Sequence, residues 1–118
     1  MKMYLIVPKE HRITEIEYNG TYEEMCPHLT YKYLDSCRIN KEGDRLFLND
    51  TGLIDGTEYR EGAFWWLTVH DTAEHWQKFV GQALYWGSKA PDNADPYLTL
   101  EQVGNRISWV KPVSYIER

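Results

Sequence analysis

Cysteine is scarce. Cys26 and Cys37 are the only two in 118 residues, too few for the disulfide framework of a small secreted domain. They read as two half-buried thiols in a reducing compartment. Long apolar runs are also missing. Residues 3–7 are stopped by Pro8, short of the roughly 7–15 apolar residues of a signal peptide and far from the roughly 20 that span a bilayer. Positive charge is in deficit, with 13 Lys+Arg against 18 Asp+Glu and a net charge of −5. That argues against generic nucleic-acid binding, which is built on basic side chains meeting phosphate. The acidic excess is in turn too small for a DNA mimic. The expectation is a cytoplasmic, acidic protein with no membrane association.

Catalytic and cofactor signatures are absent as well. No Gly-x-Gly-x-x-Gly, phosphate-binding loop or Cys-x-x-Cys occurs, and none of Ser36, Ser88, Ser108 and Ser114 stands in a Gly-x-Ser-x-Gly elbow. No cofactor is expected. No segment repeats and no linker divides the chain, so residues 1–118 read as one domain.

What the chain does have is rings: 5 Trp, 9 Tyr and 3 Phe, or 14% of its residues. A disordered chain has no means of burying so much apolar surface. Residues 3–7 and 13–18 read as a hairpin, and Thr21 with Glu24 as the capping box of a helix interrupted by Pro27. Strands follow at 33–39 and 45–49, joined by a turn at 40–44. Leu46 and Leu48 point one way, and Phe47 points the other way with Arg45 and Asn49.

Residues 63–70, Ala-Phe-Trp-Trp-Leu-Thr-Val-His, are the strongest strand in the chain. Ala63, Trp65, Leu67 and Val69 form a uniformly apolar face and are the expected core side. Phe64, Trp66, Thr68 and His70 then form a partly open one. Residues 71–74 carry a capping pattern for a helical turn through Trp76 and Phe79, so 71–80 reads as helix or loop. A strand is expected over 80–87, a short helix from Thr99, and a last strand over 107–110. The fold class is α+β: a mostly antiparallel sheet of six or seven strands with one or two short helices.

Several blocks of this chain resemble a family of small uncharacterised accessory proteins encoded by phages and prophages of bacteria. They are residues 3–8 and 13–20, then 37–44 and 46–56, then 80–87, and finally 98–101 leading to 107–110. Together these blocks cover 49 of the 118 residues. The resemblance implies phage accessory biology, and it carries over no functional residue because the family has no established activity. It also favours strand over 80–87. The chain departs from the family pattern between Trp65 and Phe79, where it is longer and richer in Trp and His.

The surplus of rings between Phe64 and Trp86 is the strongest functional signal. Exposed Trp and Tyr offer large rigid contact area and become interface hot spots. Phe64, Trp66, His70, Tyr85 and Trp86 are therefore the candidate binding residues. The leading reading is a protein that binds a host defence or regulatory protein through an aromatic-rich face. A second is a sponge for a small nucleotide signal held in an aromatic pocket, with Arg38, Arg45, Lys78 and Lys89 available to its phosphates. A third is a small hydrolase or metal-dependent enzyme using His70, Asp71, Glu74 or His75. The spacing of those residues departs by one from His-x-x-Glu-His, and on a helix His70 and His75 would point about 140° apart. Residues 49–56 lack the alternating carboxylates and closing Glu of a calcium loop. A homo-oligomer is compatible with all of these.

Overall fold

A computed structural model describes residues 1–19, 34–49, 56–70, 73–89 and 92–110. The expected helix beginning at Thr21, with Cys26 and His28, lies outside the described residues, as do Asp71 and Thr72. The strands are β1 (Lys2–Val7), β2 (Arg12–Glu17), β3 (Leu34–Arg38), β4 (Arg45–Asn49), β5 (Ala63–His70), β6 (Ala73–Val80), β7 (Ala83–Lys89), β8 (Asp92–Ala94) and β9 (Ile107–Trp109). Two short helices, α1 (Thr57–Glu61) and α2 (Leu100–Asn105), lie among them. The architecture is α+β, as the patterning implies. Among the described residues it has two antiparallel sheets and more strands than expected, because residues 73–80 and 92–94 also pair.

The larger sheet has the order β2-β1-β7-β4-β3, with β8 paired to the end of β7. The smaller has the order β6-β5-β9. Tyr4, Ile6, Leu46, Leu48, Ala83 and Tyr85 of the large sheet pack against Phe64, Trp66 and Phe79 of the small one, with Leu98 and Val103 completing the core. Alternation sends Met3, Phe47, Leu84 and Trp86 to the other face of the large sheet, where they join Tyr18 in a second buried cluster. The division of β4 into Leu46 and Leu48 against Phe47 is the one its sequence indicates.

Turn chemistry sets the connections. Pro8–Glu10 is a single 3₁₀ turn, and His11 takes a left-handed φ of 50° to reverse the chain into β2. The His11 ring lies parallel to Trp109 with centroids 5.4 Å apart, which ties this turn to the small sheet. Gly81, at φ 86°, is the corner at which the chain leaves β6 in one sheet and enters β7 in the other. Its N–H donates to Gly62 O at 2.8 Å. The strand expected over 80–87 is therefore displaced: Val80 ends β6 and β7 begins at Ala83.

Residues 73–80 are strand rather than helix or loop. The local capping pattern at 71–74 is outweighed by an unbroken eight-residue strand, β6, paired with β5 from Ala63↔Val80 to His70↔Ala73. On this hairpin Phe79 stands opposite Phe64, with ring centroids 5.7 Å apart. An aromatic cross-strand pair of this kind contributes up to about 1 kcal/mol.

Helix α2 follows its sequence signature closely. Gln102 N–H donates to Thr99 Oγ1 (3.2 Å), and Thr99 N–H donates to Gln102 Oε1 (2.8 Å). This reciprocal capping box starts the helix.

Candidate functional site

Facing of β5 decides where the surplus rings go, and for the rings the structure reverses the expectation, although Ala63 (1% exposed) is buried as expected. Phe64 (0% exposed) and Trp66 (1%) point inward, whereas Trp65 (39%) and Val69 (43%) point outward. Both faces of this strand are apolar, so alternation alone cannot choose between them. The wide gap to the large sheet, about 10 Å between packed sheets, is filled by the larger rings, and Trp66 packs at 5.6 Å on Tyr85.

Of the sequence-derived site residues, Phe64, Trp66, Tyr85 and Trp86 are accordingly buried in the interior. Phe64, Trp66 and Tyr85 come together, but as core packing between the sheets. Trp86 is separated from them by the sheet itself and meets Phe47 edge-on at 5.3 Å in the second cluster. His70 ends β5 opposite Ala73, and its side chain lies outside the described residues. Glu74 and His75 are both exposed, on opposite faces of β6 by alternation, so they do not converge on a reaction centre. Among the described residues no group of three or more His, Cys, Asp and Glu is placed to hold a metal ion.

Among the described residues Tyr59, Trp65, Trp76 and Tyr97 are the exposed aromatics, and both tryptophans lie on the outer face of the small sheet. Antiparallel partners share a face, and the register sets Trp65 opposite Lys78, Leu67 opposite Trp76, and Val69 opposite Glu74. Trp76 is 46% exposed and is the diagonal neighbour of Trp65. An apolar stripe of Trp65, Leu67, Val69 and Trp76 is thus flanked by opposite charges. Lys78 Nζ is held by Glu58 of α1 at 2.9 Å, which fixes one margin of the stripe. Sequence reasoning missed Trp76 because it requires β6 to be a strand. Lys78 was the available signal, since a lysine faces water and marks Trp65 as sharing its side.

A second feature lies where the turn between β3 and β4 meets the small sheet. A cleft of about 240 Å³ is lined by Asn40, Lys41, Trp66, Thr68, Tyr97 and Arg106, among others. Asp44, which is 1% exposed, accepts hydrogen bonds from three residues of the cleft lining, Asn40, Tyr97 and Leu98. The Asp44 carboxylate accepts hydrogen bonds from the Tyr85 hydroxyl, the Tyr97 N–H (2.9 Å), the Leu98 N–H (3.2 Å) and Asn40 Nδ2 (3.2 Å). Every one of these donors is needed, because a buried carboxylate is tolerated only when its lone pairs are satisfied. Burial, and then the hydrogen bond to Asp44 and its charge, push the Tyr85 phenol far above its ordinary pKa. Tyr4, whose hydroxyl donates to Leu98 O at 2.9 Å, is raised chiefly by burial.

Beside the cleft, and sharing Lys41 and Glu42 with it, is a shallow depression of about 250 Å³ lined by Arg38, Arg45, Ser88 and Lys89. Arg38 and Arg45 are direct cross-strand partners, an opposition of like charges that weakens a sheet. Arg38 is steadied by donating to Asn40 O (3.0 Å) and Lys41 O (2.8 Å). Of the four cations expected to be available to a phosphate, Arg38, Arg45 and Lys89 converge here, whereas Lys78 lies on the small sheet with Glu58. Among the described residues no helix is long and apolar enough to cross a membrane. Comparison with protein-family models, curated proteins and solved structures gives no match.

Proposed function

We propose that this chain is a stoichiometric binding protein of the phage or prophage accessory kind. It acts in the bacterial cytoplasm on a host defence or regulatory protein, and its contact surface is the outer face of the small sheet. The observation that carries the reading is the pair of exposed tryptophans, Trp65 and Trp76, held on one rigid β-ladder around Leu67 and Val69. Tryptophans in this setting are typical hot spots, each contributing about 2 kcal/mol or more when a partner covers it. The resemblance to phage accessory proteins supplies the class of partner.

The test is capture from bacterial lysate by wild type and by Trp65→Ala/Trp76→Ala, with thermal melts to show that the variant keeps its fold. A partner retained by wild type and lost by the variant supports the face. Equal capture by both, or none by wild type, removes it.

A second reading, a sponge for a small nucleotide, is favoured by the convergence of Arg38, Arg45 and Lys89 beside a cleft that contains Tyr97 and Lys41. Phosphates would meet the cations and the base would enter the cleft. A nucleotide at 100 times its Kd raises stability by about 2.7 kcal/mol, a shift readily seen by thermal melting. Melting curves that do not move across mono-, di- and cyclic nucleotides dispose of this reading.

A further inference from the structure

The geometry points to a second copy of this chain as the occupant of the open edge of β6, forming a two-fold symmetric dimer with one continuous six-stranded sheet. Among the described residues the order is β6-β5-β9 with β6 outermost, and Glu74, His75, Trp76 and Gln77 are all exposed. Such an edge presents a row of backbone donors and acceptors ready to pair.

Hydrogen-bond parity shows which backbone groups point outward. On β5, Leu67 N–H donates to Arg106 O (2.8 Å) and Ala63 O accepts from Val110 N–H (3.1 Å), so its odd-numbered residues bond toward β9. The even-numbered residues of β5 therefore bond to β6, and their partners there are Phe79, Gln77, His75 and Ala73. By alternation, the N–H and C=O groups of Glu74, Trp76 and Lys78 point away from β5 along the open edge.

These same residues are self-complementary. Glu74 and Lys78 lie symmetrically about Trp76. A two-fold axis through Trp76 sets Glu74 opposite Lys78 of the second copy and Lys78 opposite its Glu74, with the two Trp76 rings adjacent. Trp76 exchanges a pair of backbone hydrogen bonds with its symmetry mate, and Glu74 does so with Lys78. On the other side of the strand His75 faces Gln77, a polar pair carrying no like-charge conflict. Moving the axis one residue either way places Glu74 or Lys78 against Trp76 and loses the charge pairs. Lys78 already meets Glu58, yet its side chain remains 33% exposed and an ammonium has three donors. The pairing runs along the backbone edge of β6. Although Glu74, Trp76 and Lys78 project on the outer face, Trp65, Leu67 and Val69 of β5 take no part in it, so the inference does not depend on what that face binds.

Charge exchange tests it on the full chain by sedimentation equilibrium from low micromolar to near-millimolar concentration. Wild type is expected to approach twice its 14.0 kDa mass. Glu74→Lys and Lys78→Glu each create like-charge oppositions on both sides of the axis, and each should weaken dimerisation by about tenfold or more. Mixing those two variants, or combining them in one chain, should restore it. Glu74→Lys leaves the Glu58 contact untouched, so it separates edge pairing from any loss of fold. In hydrogen exchange the Glu74, Trp76 and Lys78 amides should gain protection as concentration rises. A wild type that stays monomeric, a Glu74→Lys variant that dimerises undiminished, or a dimer in which these amides exchange freely overturns the inference.

Discussion

Asp44 sits in a turn whose composition announces nothing more than a change of direction, yet it holds together segments far apart in the chain. Its carboxylate reaches Tyr85, 41 residues away, and Leu98, 54 residues away. Asp44→Ala would leave the Tyr85 hydroxyl and the Tyr97 and Leu98 amides without their acceptor. At about 1–3 kcal/mol for each buried group left unsatisfied, the loss should exceed about 3 kcal/mol, and urea unfolding measures it. The Tyr85 phenol makes a further prediction. Its folded pKa is raised above the ordinary value of 10.0, so below pH 10 its contribution to stability is intact. Above pH 10 the unfolded chain releases this proton while the folded chain retains it, and stability declines with a slope of about 1.4 kcal/mol per pH unit for this one group. Denaturant midpoints measured across that range should fall, and the fall should be shallower in Tyr85→Phe.

At the scale of elements, legibility follows the range of the forces. The start of α2 is encoded within four residues by Thr99 and Gln102, and it forms as its sequence reads. Thr99→Ala removes the cap and should lower stability by about 1 kcal/mol, visible as a modest fall in Tm with unchanged near-ultraviolet circular dichroism. Strand β6 is the opposite case. Asp71 to Glu74 imitate a helix start, and only pairing with β5, a non-local interaction, overrides them. The facing of β5 was equally out of reach, because Trp65 and Trp66 are alike in hydrophobicity and differ only in what stands across from them. That same choice explains why substitutions at the two neighbours should differ. Trp66→Ala opens a cavity in the core and should cost about 3–5 kcal/mol. Trp65→Ala, on the water side and 39% exposed, should cost distinctly less, about 1–2 kcal/mol.

Across the whole molecule, strand content and the antiparallel α+β class were legible because hydrophobic runs and turn residues are local. The division into two sheets was not. It depends on Gly81 turning the chain from one layer into the other, and on β7 taking the place between β1 and β4. The arrangement of β7 has a consequence for synthesis. Both hairpins of the large sheet are made before the strand that joins them, and a two-stranded hairpin is at best marginally stable in water. Until residues 83–89 emerge from the ribosome, Tyr4, Ile6, Leu46 and Leu48 have no Tyr85 or Ala83 beside them, and the nascent chain carries two unjoined apolar surfaces. A message broken before the Ala83 codon yields a product with no route to this fold, a natural client for chaperones and proteases.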